Sequence, residues 1–438
     1  MRTYYLEIFM RSKRHDVNLW IIPLKMAMGA LLLFGLTMIP DMLAAYHIIH
    51  IPDWITMGGI DDARAILSAM MGCVSTVLAL IFSVALLVLS MVATLFGPRL
   101  LYRFVQDWVT QATIGMFMAA FIYVYLVFLV THQDANSTFI PQVSLITAWI
   151  VVLVAFAFLV YYSHRVAVSI QNPDAVARIT DDLRSAVDVS TKPVVGFELR
   201  EVTERALAEK QRSDSSPIKS WVSGYLQYIN YEALANLAMQ SDATIHFAFK
   251  PGQFVLQGEV LATVWPRSQV DIFSKQLKKQ VRMGRHRVLQ QDIEFGIAQI
   301  VEIAIRALSP AVNDTFTGVA CVDWLGESLL IIAEKPRHSG WFDAQGKLRL
   351  CEQEVKLSRL IKSAFDLIRQ SSADNPAVLI RILSVLERIS PRLPHHEEQL
   401  ALKVQGEAIL EAAKTKGLVT VDLKDIEATW KNRSAIHT

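Results

Sequence analysis

Glu302 and Arg306 stand four residues apart in a stretch of helical period, with Gln299 one turn before them. A carboxylate and a guanidinium at that spacing share one helix face and can pair. The pattern ends at Ser309-Pro310, and Asn313-Asp314 follows, so the break returns two polar side chains toward the helix end. Gln299, Glu302, Arg306, Ser309, Asn313 and Asp314 therefore form a candidate polar junction. It reads either as a buried network holding two helices or as a ligand site. A second group is cationic: Lys275, Lys278, Lys279, Arg282, Arg285 and Arg287. These six can hold an anionic ligand or lipid headgroups, and the plainer reading is one solvated helix face. A third group is hydroxylic. Thr76, Ser83 and Ser90 recur every seven residues, with Thr94 beyond. Two helical turns put them on one face, which can line a wet pathway or pack against another helix.

Several chemistries are missing. There is no Gly-x-x-x-x-Gly-Lys-Ser/Thr phosphate loop, no Gly-x-Ser-x-Gly elbow and no His-Glu-x-x-His zinc motif. His395-His396-Glu397-Glu398 is the densest histidine cluster, but adjacent helical side chains point apart, so it reads as surface. Cys73, Cys321 and Cys351 are far apart and suggest neither a disulfide framework nor zinc. These absences lead to the expectation of a protein that is not an enzyme, with no metal and no cofactor. A net charge of +2 gives no electrostatic footprint for nucleic acid.

The elements that must position these groups follow from an uneven composition. Of residues 1–163, 16 are charged, against 68 of the remaining 275. The first part holds four apolar runs, about 22–44, 66–96, 113–130 and 143–162. Each is long enough to cross about 30 Å of hydrocarbon as a helix. The first run is longer than a signal-peptide core and lacks a small-residue cleavage site, so it reads as an uncleaved span. Basic residues Arg2, Arg11, Lys13, Arg14, Arg99, Arg103 and Arg165 fall on one side of the spans. Asp41, Asp53, Asp61, Asp62 and Asp134 fall in the loops of the other. That asymmetry predicts cytoplasmic N- and C-termini and, in a bacterium, the inner membrane. No ionisable residue is read deep within a span, which argues against a proton relay.

The fold class expected is therefore four transmembrane helices plus a cytoplasmic α+β domain. Residues 164–218 read as a helical linker, with a second, polar helix over 198–211. Residues 219–266 change to the two-residue period of strands, clearest in Thr244–Phe249, and read as a small β-rich, barrel-like subdomain. Residues 267–438 read as mainly helical. Helices are expected over 291–308 and 315–333, with three more in the tail.

Arg306-Ala-Leu-Ser309-Pro310-Ala-Val-Asn313-Asp314, preceded by Gln291-Asp292 and Phe295-Gly296, resembles a family of bacterial membrane proteins carrying a domain of unknown function. Phe96-Gly97-Pro98-Arg99, Ser223-Gly224-Tyr225 and Pro251-Gly252-x-Phe254 match that family too, and Thr315 stands where the pattern expects proline. The resemblance implies four spans and a cytoplasmic domain, and it brings no activity or site. Two functions remain. One is an oligomeric, channel-like or transport protein with a cytoplasmic gating domain, its partners being the bilayer, further copies of itself and a small ion or anionic ligand. The alternative is a membrane-anchored signalling or scaffold protein that binds a cytoplasmic partner.

Overall fold

Apolar runs of twenty residues or more have one low-energy form away from water, the helix, which satisfies every backbone group internally. The computed structural model describes residues 20–46, 48, 59–96, 108–134, 137–170, 174–190, 196–202, 214–335, 339–393 and 395–436. It divides into two units, residues 1–172 and 173–438.

The first unit is a helical bundle of α1 (Ile21–Ala45), α2 (Ile60–Phe96), α3 (Trp108–Val130) and α4 (Gln142–Ile170). A short antiparallel hairpin, β1 (His132–Asp134) with β2 (Ser137–Phe139), joins α3 to α4. The central helix is α3, which packs against the other three. Its Phe117, Tyr123, Val124 and Val127 are fully buried together with Leu67 and Val74 of α2 and Leu145 and Ala148 of α4. All four helices run beyond the apolar stretches read from the sequence, α1 by one residue at each end, α2 and α3 at their starts and α4 mainly at its end, where residues such as Asp61, Asp62, Gln111 and Arg165 continue the helix. Trp108 opens α3, five residues before the apolar run read from the sequence begins.

The second unit begins with α5 (Asp174–Ser190) and continues through β3 (Phe197–Arg200), β4 (Ser216–Lys219), β5 (Gly224–Ile229), α6 (Tyr231–Gln240), β6 (Thr244–Phe247), β7 (Phe254–Val255) and β8 (Val260–Trp265). Next come α7 (Val270–Gln280), β9 (Val281–Gly284), α8 (Ile293–Ala307), α9 (Thr315–Ala333), β10 (Gly340–Asp343) and β11 (Leu348–Cys351). Helices α10 (Leu357–Ser371), α11 (Pro376–Ile389), α12 (His396–Lys416) and α13 (Thr420–Ile436) complete it. Side chains of Asn230, Asp292, Asp314 and Asn375 cap α6, α8, α9 and α11 by accepting from the backbone N–H three residues on.

The strands form a six-stranded sheet in the order β3-β10-β11-β6-β8-β4 and a three-stranded sheet in the order β7-β5-β9. Neighbours are antiparallel except β11 and β6, which are parallel. This corrects three expectations. The β structure is not confined to 219–266, because β3, β10 and β11 supply half of the larger sheet and β9 an edge of the smaller one. Residues 164–218 are not a purely helical linker, because they hold β3 and most of β4. The helix expected from Glu198 gives way to a strand whose partner, β10, lies some 140 residues away in the chain. The remainder of that expected helix, 203–211, lies outside the described residues, as do Gly97, Pro98 and Arg99.

Among the described residues, five helices are long and apolar enough to cross a membrane: α1, α2, α3, α4 and α9. The fifth belongs to the second unit, where it packs against α8, α11 and α5.

Candidate functional site

The hydroxyl stripe lies on α2. Thr76, Ser83 and Ser90 are exposed, on the face opposite the buried Ala63, Leu67, Met70, Val74 and Ile81. Ala65, Ala69, Gly72 and Ala79 continue the exposed row at steps of three and four. Thr76 donates its hydroxyl to the Gly72 carbonyl at 2.8 Å, so it is satisfied within its own helix. The side chain of Thr94 lies outside the described residues.

The polar junction is built around the break between α8 and α9. Leu308 ends α8, and Ser309 turns back, its Oγ donating to the Arg306 carbonyl at 2.7 Å. The amide of Asn313 donates to the Ser309 carbonyl at 2.9 Å and that of Asp314 to Ala307 at 2.8 Å. Asn313 takes a left-handed φ of 50°, a conformation asparagine tolerates. The Asp314 carboxylate accepts from the Thr317 amide at 3.0 Å and its hydroxyl at 2.6 Å, and these bonds hold its pKa below the usual carboxylate value. Gln299 is buried, while Glu302 and Arg306 are half-buried on α8. Asp314 is thus a helix cap, and the backbone of Asn313 closes the turn before it.

The cationic group does not form one helix face. Lys275, Lys278 and Lys279 are exposed on α7, Arg282 sits in β9 and Arg285 is exposed beyond it. Arg287 turns inward. Its guanidinium donates two hydrogen bonds to Asp292, at 2.7 and 2.8 Å, and lies 5.2 Å over the Phe295 ring. Asp292 is itself buried and caps α8 through the Phe295 amide. Beside it, the buried Lys250 donates to Glu294 at 2.8 Å, and Arg359 reaches the same carboxylate at 3.7 Å. Two charges removed from water in this way must be matched, and deleting one partner of such a pair costs about 3–5 kcal/mol.

Asp41 was expected in an outer loop, and the structure places it inside α1, 2% exposed. Its carboxylate accepts from the amides of Val143 and Ser144, both at 2.9 Å, and from the Ser144 hydroxyl at 2.6 Å. These amides belong to the first turn of α4, which has no partners for them of its own. Thr37 joins the group 2.8 Å from the Tyr123 hydroxyl, which also donates to the Ser144 carbonyl at 3.3 Å. A buried acid at the end of a span was not visible as such, because the amides it binds, of Val143 and Ser144, lie about 100 residues away in the chain. Among the described residues, no group of three or more His, Cys, Asp or Glu side chains is arranged to hold a metal.

Residues 16–388 match the family described as "Predicted membrane protein (DUF2254)". The chain belongs to this family. Its relatives include uncharacterized proteins of Mycobacterium bovis and Mycobacterium tuberculosis, each 28% identical over 369 residues, or 81% of this chain and 68% of theirs. No solved structure matches it. In this DUF2254 protein, three segments far apart in sequence converge. The amide of Gly252 donates to the Leu226 carbonyl at 2.7 Å, and Tyr225 meets Phe254 edge-on at 5.1 Å. Gln291 exchanges hydrogen bonds with both backbone groups of Ile229, at 2.9 and 3.0 Å. Ser223–Tyr225, Pro251–Phe254 and Gln291–Gly296 thereby join the small sheet to the start of α8.

Proposed function

We propose that this DUF2254 protein is an oligomeric, channel-like integral membrane protein with four spans, α1 to α4. The second unit is the gating or regulatory part. The observation that carries this reading is the outward face of α2. The interior of the bundle is filled by Phe117, Tyr123, Leu67 and other apolar side chains, so a wet path has no room inside one copy. Hydroxyls and small residues sit instead on the side of α2 that the bundle leaves uncovered. Small residues allow helices of neighbouring copies to approach closely, and hydroxyls can line the seam between them.

Counting α9 outside the spans is supported by its ion pairs. Asp323 binds Arg381 at 2.6 Å and Glu327 binds Arg184 at 2.8 Å, which suits a folded domain in water better than lipid. The basic-residue asymmetry supports cytoplasmic termini in a bacterial inner membrane. An impermeant thiol reagent added to intact cells checks this: it should reach Ser137→Cys without permeabilisation.

The functional test is ion flux from salt-loaded liposomes containing the purified chain. Wild type should release the trapped ions, and Ser83→Leu, which leaves the bundle core untouched, should reduce the release. Sealed liposomes with wild type present would favour the scaffold alternative.

A further inference from the structure

We propose that the exposed face of α7, with Arg285 beyond β9, is a docking surface for the anionic headgroups of lipids, and that Ile272 enters among them. The proposal rests neither on the channel reading nor on which side the termini face.

Between Ile272 and Gln291 the chain carries six basic side chains and no acidic one, although residues 173–438 as a whole are nearly balanced, at 34 basic and 33 acidic. The fold assigns Arg287 to Asp292, and Arg282 is half-buried in β9. Lys275, Lys278, Lys279 and Arg285 remain exposed, and among the described residues none of them has an ion pair. Lysines at a helix C-terminus offset the partial charge of its carbonyls, which accounts for Lys278 and Lys279 in the last turn of α7. Lys275 lies midway along the helix and Arg285 beyond its end, so both need another reason. Phe273 and Leu277 bury the opposite face of α7, which fixes the side on which the lysines stand. Ile272 shares that side, 46% exposed, one turn before Lys275 and two before Lys279. The single acid there is Asp271, in the first turn.

The shape and charge of the patch select the partner. At about 100° per residue, Ile272, Lys275, Lys278 and Lys279 fan over an arc of about 120° on a convex surface. Ammonium groups that diverge in this way cannot close on one small phosphate, which needs donors converging on it. They match a flat array of negative charges instead. Each lysine near an anionic bilayer gains from the surface potential, and its long stem lies along neighbouring apolar surface. A soluble polyanion offers the same charges but gives Ile272 nothing to bury against, whereas the boundary between headgroups and acyl chains does. A single-stranded nucleic acid would stack its bases on aromatic side chains, and the one Phe, Tyr or Trp among residues 270–287 is the buried Phe273. The DUF2254 family is one of predicted membrane proteins, so a lipid surface is always at hand.

The test uses the full chain in which Cys73→Ser removes the exposed native thiol. A fluorophore is placed at Ile272→Cys, or at Gln276→Cys as an independent site that keeps Ile272. The comparison site is Val421→Cys, which is 69% exposed on α13. The protein is reconstituted in vesicles of phosphatidylcholine alone or with about a third phosphatidylglycerol, which supplies the negative surface potential in both leaflets. Each composition is prepared with and without bromine on the acyl chains. With phosphatidylglycerol present, bromine should remove most of the emission at 272 and 276 and leave 421 unchanged. Salt at about 1 M, which shortens the screening length to about 3 Å, should restore most of it. Lys275→Gln with Lys279→Gln, in a protein with the parent melting temperature, should restore it as well, and Ile272→Ser should weaken the quenching read at 276. Emission at 272 and 276 indifferent to bromine would overturn the proposal, as would equal quenching without phosphatidylglycerol or quenching that survives loss of the two lysines. A response to added inorganic polyphosphate but not to phosphatidylglycerol would overturn it too, assigning the surface to a soluble polyanion. Equal quenching at 421 would show that contact is not a property of α7.

Discussion

At Gly252 the backbone adopts φ +94°, and an added Cβ would sit 2.2 Å from an Asp292 carboxylate oxygen. Gly258 has nearly the same conformation, φ +90°, with open space around it. The pair separates backbone strain from a steric clash. Gly258→Ala should cost about 1–2 kcal/mol, the left-handed penalty alone. Gly252→Ala should cost that plus displacement of Asp292 from Arg287, about 3 kcal/mol or more in all. Denaturant unfolding of the two variants beside wild type measures the difference, and equal losses would refute the clash. His246 offers a second check. Burial on β6 beside Trp265 pushes its pKa below the usual histidine value. The unfolded chain then binds the proton more readily than the folded one. Stability is held above the ordinary histidine pKa of about 6.5 and falls as pH drops from there through the folded value. His246→Gln should flatten that part of the melting-temperature profile, and a profile still falling with the wild-type slope would assign the titration elsewhere. At this scale the sequence was a mixed guide. Asn313 and Asp314 were legible as polar residues at a helix break after Ser-Pro, and the cap that Asp314 makes on α9 is added by the fold. Arg287 was grouped with surface cations because only its fold brings Asp292 and Phe295 around it.

Among the elements, α4 depends on a residue of another helix. Asp41→Ala would leave the Val143 and Ser144 amides unpaired in a buried site, with an expected loss of about 2 kcal/mol or more. Asp41→Asn keeps one acceptor oxygen and should lose less. Thermal melting in detergent orders the three proteins, and an Ala variant as stable as wild type would show that water or another group caps α4. The helices of the first unit were readable because each apolar run declares itself locally. The strands were readable only where alternation was clean, as in Thr244–Phe247. The pairings of β3 with β10 and of β11 with β6 join strands distant in the chain, and no local pattern encodes them. The same limit hid the convergence of Ser223–Tyr225, Pro251–Phe254 and Gln291–Gly296, which the sequence showed only as separate segments.

For the whole molecule, we propose assembly through α2. Its inner face is committed to α3, while its outer face presents Gly72, Thr76, Ala79 and Ser83 with no partner in the described part of one copy. A row of small residues facing lipid gains little from acyl chains, and the same row facing another copy gains close packing. Native mass spectrometry of the full chain released from mild detergent tests this most directly. Assembly through α2 should give a single closed species at an integer multiple of 49.2 kDa, weakened when Gly72 or Ser83 is replaced by leucine. A wild-type spectrum holding only the 49.2 kDa monomer at micromolar concentration would contradict it.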